Sequence, residues 1–151
     1  MNSIEELRYL ILAAQREGDR LLSAALEPIG LTTSQAEVLR VLYDYAPLSL
    51  IELGERLICE TGSPSRLVNT LVEKKLVERK TSERDRRMVT LLLTPSGRQV
   101  AEQVRAIEQV FYAQLASVLE SNSLEAISTV LWRFVAGRPA ADALMRRKEK
   151  P

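Results

Sequence analysis

The chain has 151 residues and a mass of 17.0 kDa, with 46% hydrophobic and 27% charged residues. This composition is typical of one compact folded unit and excludes a disordered or low-complexity protein. The longest apolar run is far below the roughly 18–20 residues that span a bilayer, and the N-terminal residues lack the basic and apolar segments of a signal peptide. We therefore expect a cytoplasmic protein with no membrane partner.

The residue types that support most catalytic and metal sites are scarce. Histidine is absent and Cys59 is the only cysteine, which removes the commonest general base and the usual zinc ligand sets. No glycine-rich phosphate-binding motif is present. We expect no catalytic residues, no metal, no cofactor and no enzymatic activity.

The charge distribution is uneven although the net charge is only +1. Residues 1–66 carry 6 basic and 10 acidic side chains, residues 67–100 carry 8 basic and 4 acidic, and residues 101–151 carry 7 basic and 6 acidic. A local basic segment is typical of a polyanion contact. Taken alone, it fits a solvated charged face equally well.

The N-terminal third of the chain predicts two helices. Apolar residues at steps of three or four over 4–26 indicate an amphipathic helix that ends near Pro28. Two overlapping capping boxes begin at Thr32 and at Ser34, so the start of the second helix is ambiguous by two residues. This helix ends before Pro47, because the residue before a proline disfavours helical geometry.

Two shorter helices and a hairpin follow. A further capping box at Ser49 predicts a helix of about ten residues over 49–59. Ser63 can cap the next helix with Pro64 in its first turn. Two short strands are predicted over 76–80 and 88–93, joined by a polar loop that contains neither glycine nor proline.

The C-terminal part is again helical. Thr94 and Pro95 repeat the cap-plus-proline start signal and open a long helix. A last helix begins near Asn122. The tail over 137–151 is basic at its end, and it is either a frayed helix or disordered.

This order of elements predicts a mostly α fold with a small β-hairpin, namely a winged helix-turn-helix. In such a fold the second short helix enters the major groove and its early residues reach the base edges. Arginine pairs with guanine and asparagine with adenine, while arginines on a projecting loop suit a narrow minor groove. The candidate DNA-binding residues are Ser63, Ser65, Arg66, Asn69, Thr70 and Lys74 on the helix side, and Lys80, Arg84, Asp85, Arg86 and Arg87 on the hairpin.

Several of these candidates have a second interpretation. Arg66 could pair with a carboxylate of the preceding helix, Asn69 could simply face solvent, and Arg86 could contact phosphate alone. Cys59 lies beside Glu60 at a predicted helix C-terminus, which raises a thiol pKa and favours a structural cysteine over a reactive one.

Several segments carry a resemblance to a known family. They are Leu31-Thr32 leading into a helix with Val38-Leu39-Arg40, Glu52-Leu53-Gly54-Glu55-Arg56-Leu57, Ser65-Arg66-Leu67-Val68-Asn69-Thr70-Leu71, Leu76-Val77-Glu78-Arg79 and Asp85-Arg86-Arg87-Met88-Val89-Thr90-Leu91-Leu92-Leu93-Thr94-Pro95-Ser96-Gly97. In them the chain resembles the MarR-type (multiple antibiotic resistance regulator) winged-helix transcription factors over roughly residues 4–136. Two residues depart from the family pattern: Lys75, where glycine is usual and a left-handed backbone is needed, and Pro64 at the helix start.

The resemblance implies a single unit over 1–136, with a DNA-binding lobe at about 31–98 and dimerisation helices at about 4–27 and 99–136. It further implies that Asp85 orients Arg87 toward the minor groove. A homodimer would read a palindromic operator on double-stranded DNA.

Members of the family often respond to a small aromatic or anionic effector. By position, the candidate ligand-binding residues are Tyr9, Arg16, Arg40, Tyr43 and Tyr45. The resulting hypothesis is a dimeric repressor that a small molecule releases from DNA. The alternatives are a winged-helix protein-interaction module and a thiol-responsive regulator acting through Cys59.

Overall fold

The structure is a computed structural model that describes residues 2–59, 63–81, 85, 88–119 and 121–149. The helices are α1 (Ser3–Leu26), α2 (Thr33–Tyr45), α3 (Leu50–Gly54), α4 (Pro64–Glu73), α5 (Pro95–Val118), α6 (Ser121–Val135) and α7 (Pro139–Lys148), and the strands are β1 (Val77–Thr81) and β2 (Val89–Leu93). The predicted mostly α fold with a two-stranded hairpin is confirmed. Within the described ranges, no helix combines the length and the apolarity needed to cross a membrane.

Local capping hydrogen bonds determine where the helices begin. Thr32 is the N-cap of α2: its hydroxyl accepts from the backbone N–H of Gln35, and the Gln35 side chain accepts from the Thr32 N–H, both at 3.2 Å. This reciprocal pair selects the first of the two predicted starts. Ser49 forms the same box at α3, and the Thr94 hydroxyl accepts from Gly97 N–H at the start of α5.

Helix α3 is shorter than the sequence predicts. The expected helix over 49–59 ends at Gly54, so the predicted length of about ten residues is wrong. After Gly54 the N–H groups of Arg56 and Leu57 donate to carbonyls three residues back, at 3.0 and 3.3 Å, so the α-helical pattern stops there. The Glu37 carboxylate of α2 accepts hydrogen bonds from the next two backbone N–H groups, those of Ile58 and Cys59, at 2.8 and 2.9 Å. Because these N–H groups are satisfied by a side chain, they are not available to continue the helix.

The two strands form an antiparallel hairpin that extends from the end of α4. The pairing runs from Val77 opposite Leu93 to Thr81 opposite Val89, one residue from the predicted strand starts. An isolated bridge between Leu48 and Leu91 ties the base of the hairpin to the segment before α3. Residues 82–84, 86 and 87 of the hairpin loop lie outside the described residues.

The core lies where α2, α4, β2 and α5 meet. Its largest fully buried side chains are Leu26, Leu39, Leu42, Leu53, Leu71, Leu91, Val38, Val68, Val77 and Val104. Helices α1 and α6 contribute little to it. They instead expose large apolar side chains, among them Leu10 at 59%, Val130 at 58% and Phe134 at 70%.

The C-terminal residues are helical and packed. Of the two alternatives for the tail, the described part forms α7, which follows Gly137 in left-handed geometry (φ 72°) and begins with Pro139. Ala141 and Ala143 of α7 are buried. The helix therefore docks on the rest of the chain instead of fraying.

Candidate nucleic-acid interface

The start of α4 is built by two serines and a proline. The Ser63 hydroxyl accepts from the backbone N–H of Arg66 at 3.4 Å and lies 2.9 Å from the Ser65 hydroxyl. Pro64 occupies the first turn, where its missing N–H is not needed. The predicted cap is confirmed, and it places two hydroxyls at the N-terminal end of α4.

The two faces of α4 differ in polarity. Val68 and Leu71 are buried against the core, whereas Arg66 and Asn69 are exposed. Within the described ranges the Arg66 guanidinium makes no hydrogen bond or ion pair with the protein, so the alternative of a carboxylate partner on the preceding helix is not realised there. The Thr70 hydroxyl donates to the Arg66 carbonyl at 3.1 Å, which fixes it along the helix axis. Arg66 is thus a cationic donor on the outer face.

Asn69 is held from the hairpin. Arg79 of β1 donates from Nη2 to the Asn69 side-chain oxygen at 2.5 Å. Arg79 therefore occupies the side-chain oxygen of Asn69 and does not contact its side-chain NH₂ group. Sequence reasoning missed Arg79 because its contact with α4 depends on how the hairpin packs beside the helix, which no local pattern encodes.

The two lysines among the candidates behave differently. Lys74 turns back from the C-terminal end of α4 and donates from Nζ to the carbonyl oxygen of Gly30 at 2.5 Å. Lys80 is exposed on β1, with Nζ 3.4 Å from a Glu78 carboxylate oxygen. Lys80 is therefore exposed beside a carboxylate, whereas Lys74 contacts the turn between α1 and α2.

The turn between α4 and β1 has the geometry that the family resemblance implies. Lys75 has a φ of 59°, in the left-handed region where glycine is usually preferred. The Thr94 hydroxyl donates to the Lys75 carbonyl at 2.7 Å. Helix, hairpin and the start of α5 therefore meet at this turn.

The tip of the hairpin is described in part. Arg84, Arg86 and Arg87 lie outside the described residues, so their predicted role stays a prediction. Asp85 is exposed, and its backbone carbonyl accepts from the Met88 N–H at 2.9 Å.

The structure brings together two of the five candidate ligand-binding residues. Arg40 and Tyr43 are neighbours on α2, with the guanidinium carbon 5.6 Å from the centre of the tyrosine ring. Arg40 is also paired with Glu108 at 2.9 Å and with Asp44 at 3.4 Å. Burial raises the pKa of Glu108, and the charge of Arg40 opposes that rise. This cluster joins α2 to α5 as a structural contact.

The other three candidates lie apart from that pair. Tyr9 is exposed on α1 beneath the Arg8 guanidinium, and Tyr45 donates its hydroxyl to the Arg147 carbonyl under α7. Arg16 lines an open groove of about 700 Å³ between α1 and the start of α2. The groove is lined by Arg16, Asp19, Arg20, Ser23, Ala24, Glu27, Gly30, Leu31, Thr32, Gln35 and Lys74.

Comparison with known proteins identifies the family. A family model described as a winged helix DNA-binding domain matches residues 31–97. The multiple antibiotic resistance protein MarR of Escherichia coli (strain K12) is 30% identical over 131 residues, which are 86% of this chain and 91% of that protein. The chain belongs to the MarR family. The resemblance in the α3, α4 and hairpin segments is thereby confirmed.

Solved structures of MarR-family proteins share the fold. The crystal structure of a mutant MarR from E. coli complexed with operator DNA matches this chain with a TM-score of 0.77 and 29% identity, covering 89% of this chain and 96% of that one. A MepR–DNA complex from S. aureus matches with a TM-score of 0.79 and 24% identity over 85% and 96% of the two chains. The second likeness supports the fold alone.

Cys59 of this MarR-family chain is a weakly acidic thiol. Burial, together with hydrogen bonding to Glu37 and the charge of that carboxylate, raises the pKa of Cys59 to about 11. A thiolate is the nucleophilic form of cysteine. This environment counts against the alternative of a thiol-responsive regulator.

We expect Cys59 to react slowly with alkylating reagents at pH 8. A pKa of about 11 leaves roughly 200-fold less thiolate than a free cysteine with a pKa of about 8.5 has at that pH. Iodoacetamide labelling followed by mass spectrometry measures the rate, and the same chain unfolded in urea is the control. Equal rates in the folded and unfolded chains would contradict the expectation.

Proposed function

We propose that this protein is a sequence-specific DNA-binding transcriptional regulator, and that it acts as a dimeric repressor released by a small-molecule effector. The observation that carries the proposal is the outer face of α4, where Arg66 is exposed and unpaired within the described ranges beside the capping hydroxyls of Ser63 and Ser65. Such donors at the start of a recognition helix match base edges in the major groove. The E. coli MarR relative, solved on operator DNA, supports the same use of the fold.

A second copy of the chain is the proposed occupant of the apolar groove between α1 and α6. This groove has a volume of about 650 Å³. It is lined by Leu7, Leu10, Ile11, Ala14, Ala126, Ile127, Val130 and Leu131. Exposed apolar surface of this extent favours association. A twofold dimer would place two α4 helices in successive major grooves, about 10 base pairs apart, and would read an inverted repeat.

The proposed effector site is the groove that contains Arg16. Arg16, Arg20 and Lys74 supply positive charge there, offset in part by Asp19 and Glu27, and Arg20 is also paired with Glu17 at 2.8 Å. The groove lies between α1, which would form the dimer, and α2, which belongs to the DNA-binding lobe. An anionic ligand at this place would release DNA if it bound the released arrangement more tightly than the DNA-competent one.

Sedimentation with and without DNA tests the proposal. We expect the protein to sediment at twice its 17.0 kDa chain mass and to select duplexes with an inverted repeat from a random pool. The logarithm of the binding constant should fall linearly with the logarithm of salt concentration, by about 0.9 per phosphate neutralised.

Two results would contradict the proposal. A monomer that binds no duplex in dilute buffer would refute both the dimer and the DNA-binding function. A dimer that binds no duplex would favour a winged-helix module that docks proteins.

A further inference from the structure

The C-terminal helix α7 packs on the segment that leads into α4. Arg146 lies 3.4 Å from Glu55, and the Arg147 Nε donates to the carbonyl oxygen of Arg56 at 2.7 Å. The Tyr45 hydroxyl donates to the Arg147 carbonyl. Together with the buried Ala141 and Ala143, these contacts join α7 to α2 and to the residues after α3.

Glu37 is the centre of this contact. Its carboxylate accepts from the N–H groups of Ile58 and Cys59 and is paired with the Arg147 guanidinium. Burial alone would raise the pKa of Glu37, but the hydrogen bonds from Cys59 and Ile58 and the charge of Arg147 hold it below its usual range. The carboxylate is therefore ionised and shared between α7 and the residues that precede α4.

The two amides that this carboxylate holds lie close in sequence to the start of α4. Ser63, the N-cap of α4, lies four residues after Cys59, and the helix itself begins at Pro64. Without Arg147, Glu37 would be a half-buried charge with only amide partners, and such a group favours rearrangement toward water. The Ile58 and Cys59 amides would then lose their acceptor.

We propose that α7 is a clamp that positions the recognition helix, with Arg147 as the positioning residue that holds Glu37 and the Arg56 carbonyl. This inference rests on the proposed DNA-binding function and names the element that sets the position of α4. Lys148 lies with its Nζ 4.3 Å from the centre of the Trp132 ring. Since Trp132 belongs to α6, the clamp also joins the proposed dimerisation helices to the DNA-binding lobe.

The test compares Arg147→Met with Arg146→Met, a matched variant on the same helix whose ion pair is partly exposed. Hydrogen exchange at the Ile58 and Cys59 amides is measured without DNA. We expect about tenfold faster exchange in R147M, because loss of one partner of a half-buried charged contact costs about that factor. Exchange in R146M should equal that of the parent, and the buried Leu39 amide should be unaffected in both variants.

Duplex binding supplies the second readout. With a duplex that the parent protein selects from a random pool, R147M should bind about tenfold more weakly with an unchanged salt slope. A slope reduced by about one unit would mean that Arg147 neutralises a phosphate directly, which would overturn the positioning role. Tyr45→Phe, which removes the hydroxyl donor to the Arg147 carbonyl, should change both readouts in the same direction.

The outcomes separate this inference from the function on which it rests. If the parent selects no duplex, the proposed function fails and the positioning role fails with it. If the parent binds but R147M exchanges and binds as the parent does, the clamp alone is refuted. Faster exchange at Leu39 in R147M would also refute it, because it would show a general loss of stability.

Discussion

Gly97→Ala is expected to destabilise the protein by about 3 kcal/mol or more. Gly97 is buried in the first turn of α5, and a Cβ there would lie 1.8 Å from the carbonyl oxygen and 2.8 Å from the carbonyl carbon of Leu76. Those atoms are backbone at the base of the hairpin and cannot rotate away. In an open helix the same substitution would stabilise by about 1 kcal/mol, so close packing reverses its sign.

Urea unfolding of the parent and the variant measures this effect. Ser96→Ala is the matched control, because Ser96 is the exposed preceding residue in the same turn. We expect its free energy of unfolding to lie within about 0.5 kcal/mol of the parent value. A Gly97→Ala variant as stable as the parent would show that α5 does not approach the hairpin as closely as the structure places it.

The starts of the elements could be predicted because their causes are local. Thr32, Ser49, Ser63 and Thr94 each cap a helix through a hydrogen bond to a residue three positions later. A pattern of four residues contains all the atoms involved. The left-handed Lys75 is expected on different grounds, because the family resemblance implies a position where glycine is usual.

The errors have a different physical origin. The Ile58 N–H group, in the segment after the short α3, donates to Glu37, which lies 21 residues earlier in the chain. The docking of α7 depends on Glu37 and Arg147, which are 110 residues apart. The spacing of apolar residues along a helix or strand does not indicate contacts between residues so far apart in the sequence. The same reason applies to Arg79, which reaches Asn69 on α4 from the neighbouring strand.

The exposed residues of α4 could be predicted more closely than the grouping of the candidate effector residues. The residues of α4 follow from the helix-turn-helix order, because the fold decides which helix meets DNA and the helical period decides which face is exposed. The candidate effector residues follow only from residue type and approximate position in the chain. In the structure these candidates have different surroundings. Arg40 pairs with Glu108, and Tyr45 donates its hydroxyl to the Arg147 carbonyl. Arg16 lines the open groove.

Arg66→Ala is expected to give the largest loss of DNA affinity of any single change on α4. Arg66 is exposed near the start of the helix and has no protein partner within the described ranges, so its donors are free to pair with a base. A bidentate contact with guanine contributes about 1–3 kcal/mol of discrimination. The dissociation constant for the selected duplex should rise roughly 5- to 150-fold, and selection from a random pool should lose its preference at one base pair of each half-site.

The matched control separates base recognition from general electrostatics. Arg105→Ala removes an equal charge from an exposed position on α5, away from α4, and should leave the affinity within about twofold of the parent value. If Arg66 contacts phosphate instead of a base, the sequence preference would persist while the salt slope fell by about 0.9 for each half-site. An Arg66→Ala variant with unchanged affinity and unchanged preference would contradict the assignment of α4 as the recognition helix, because no other exposed side chain near its start carries a positive charge within the described residues.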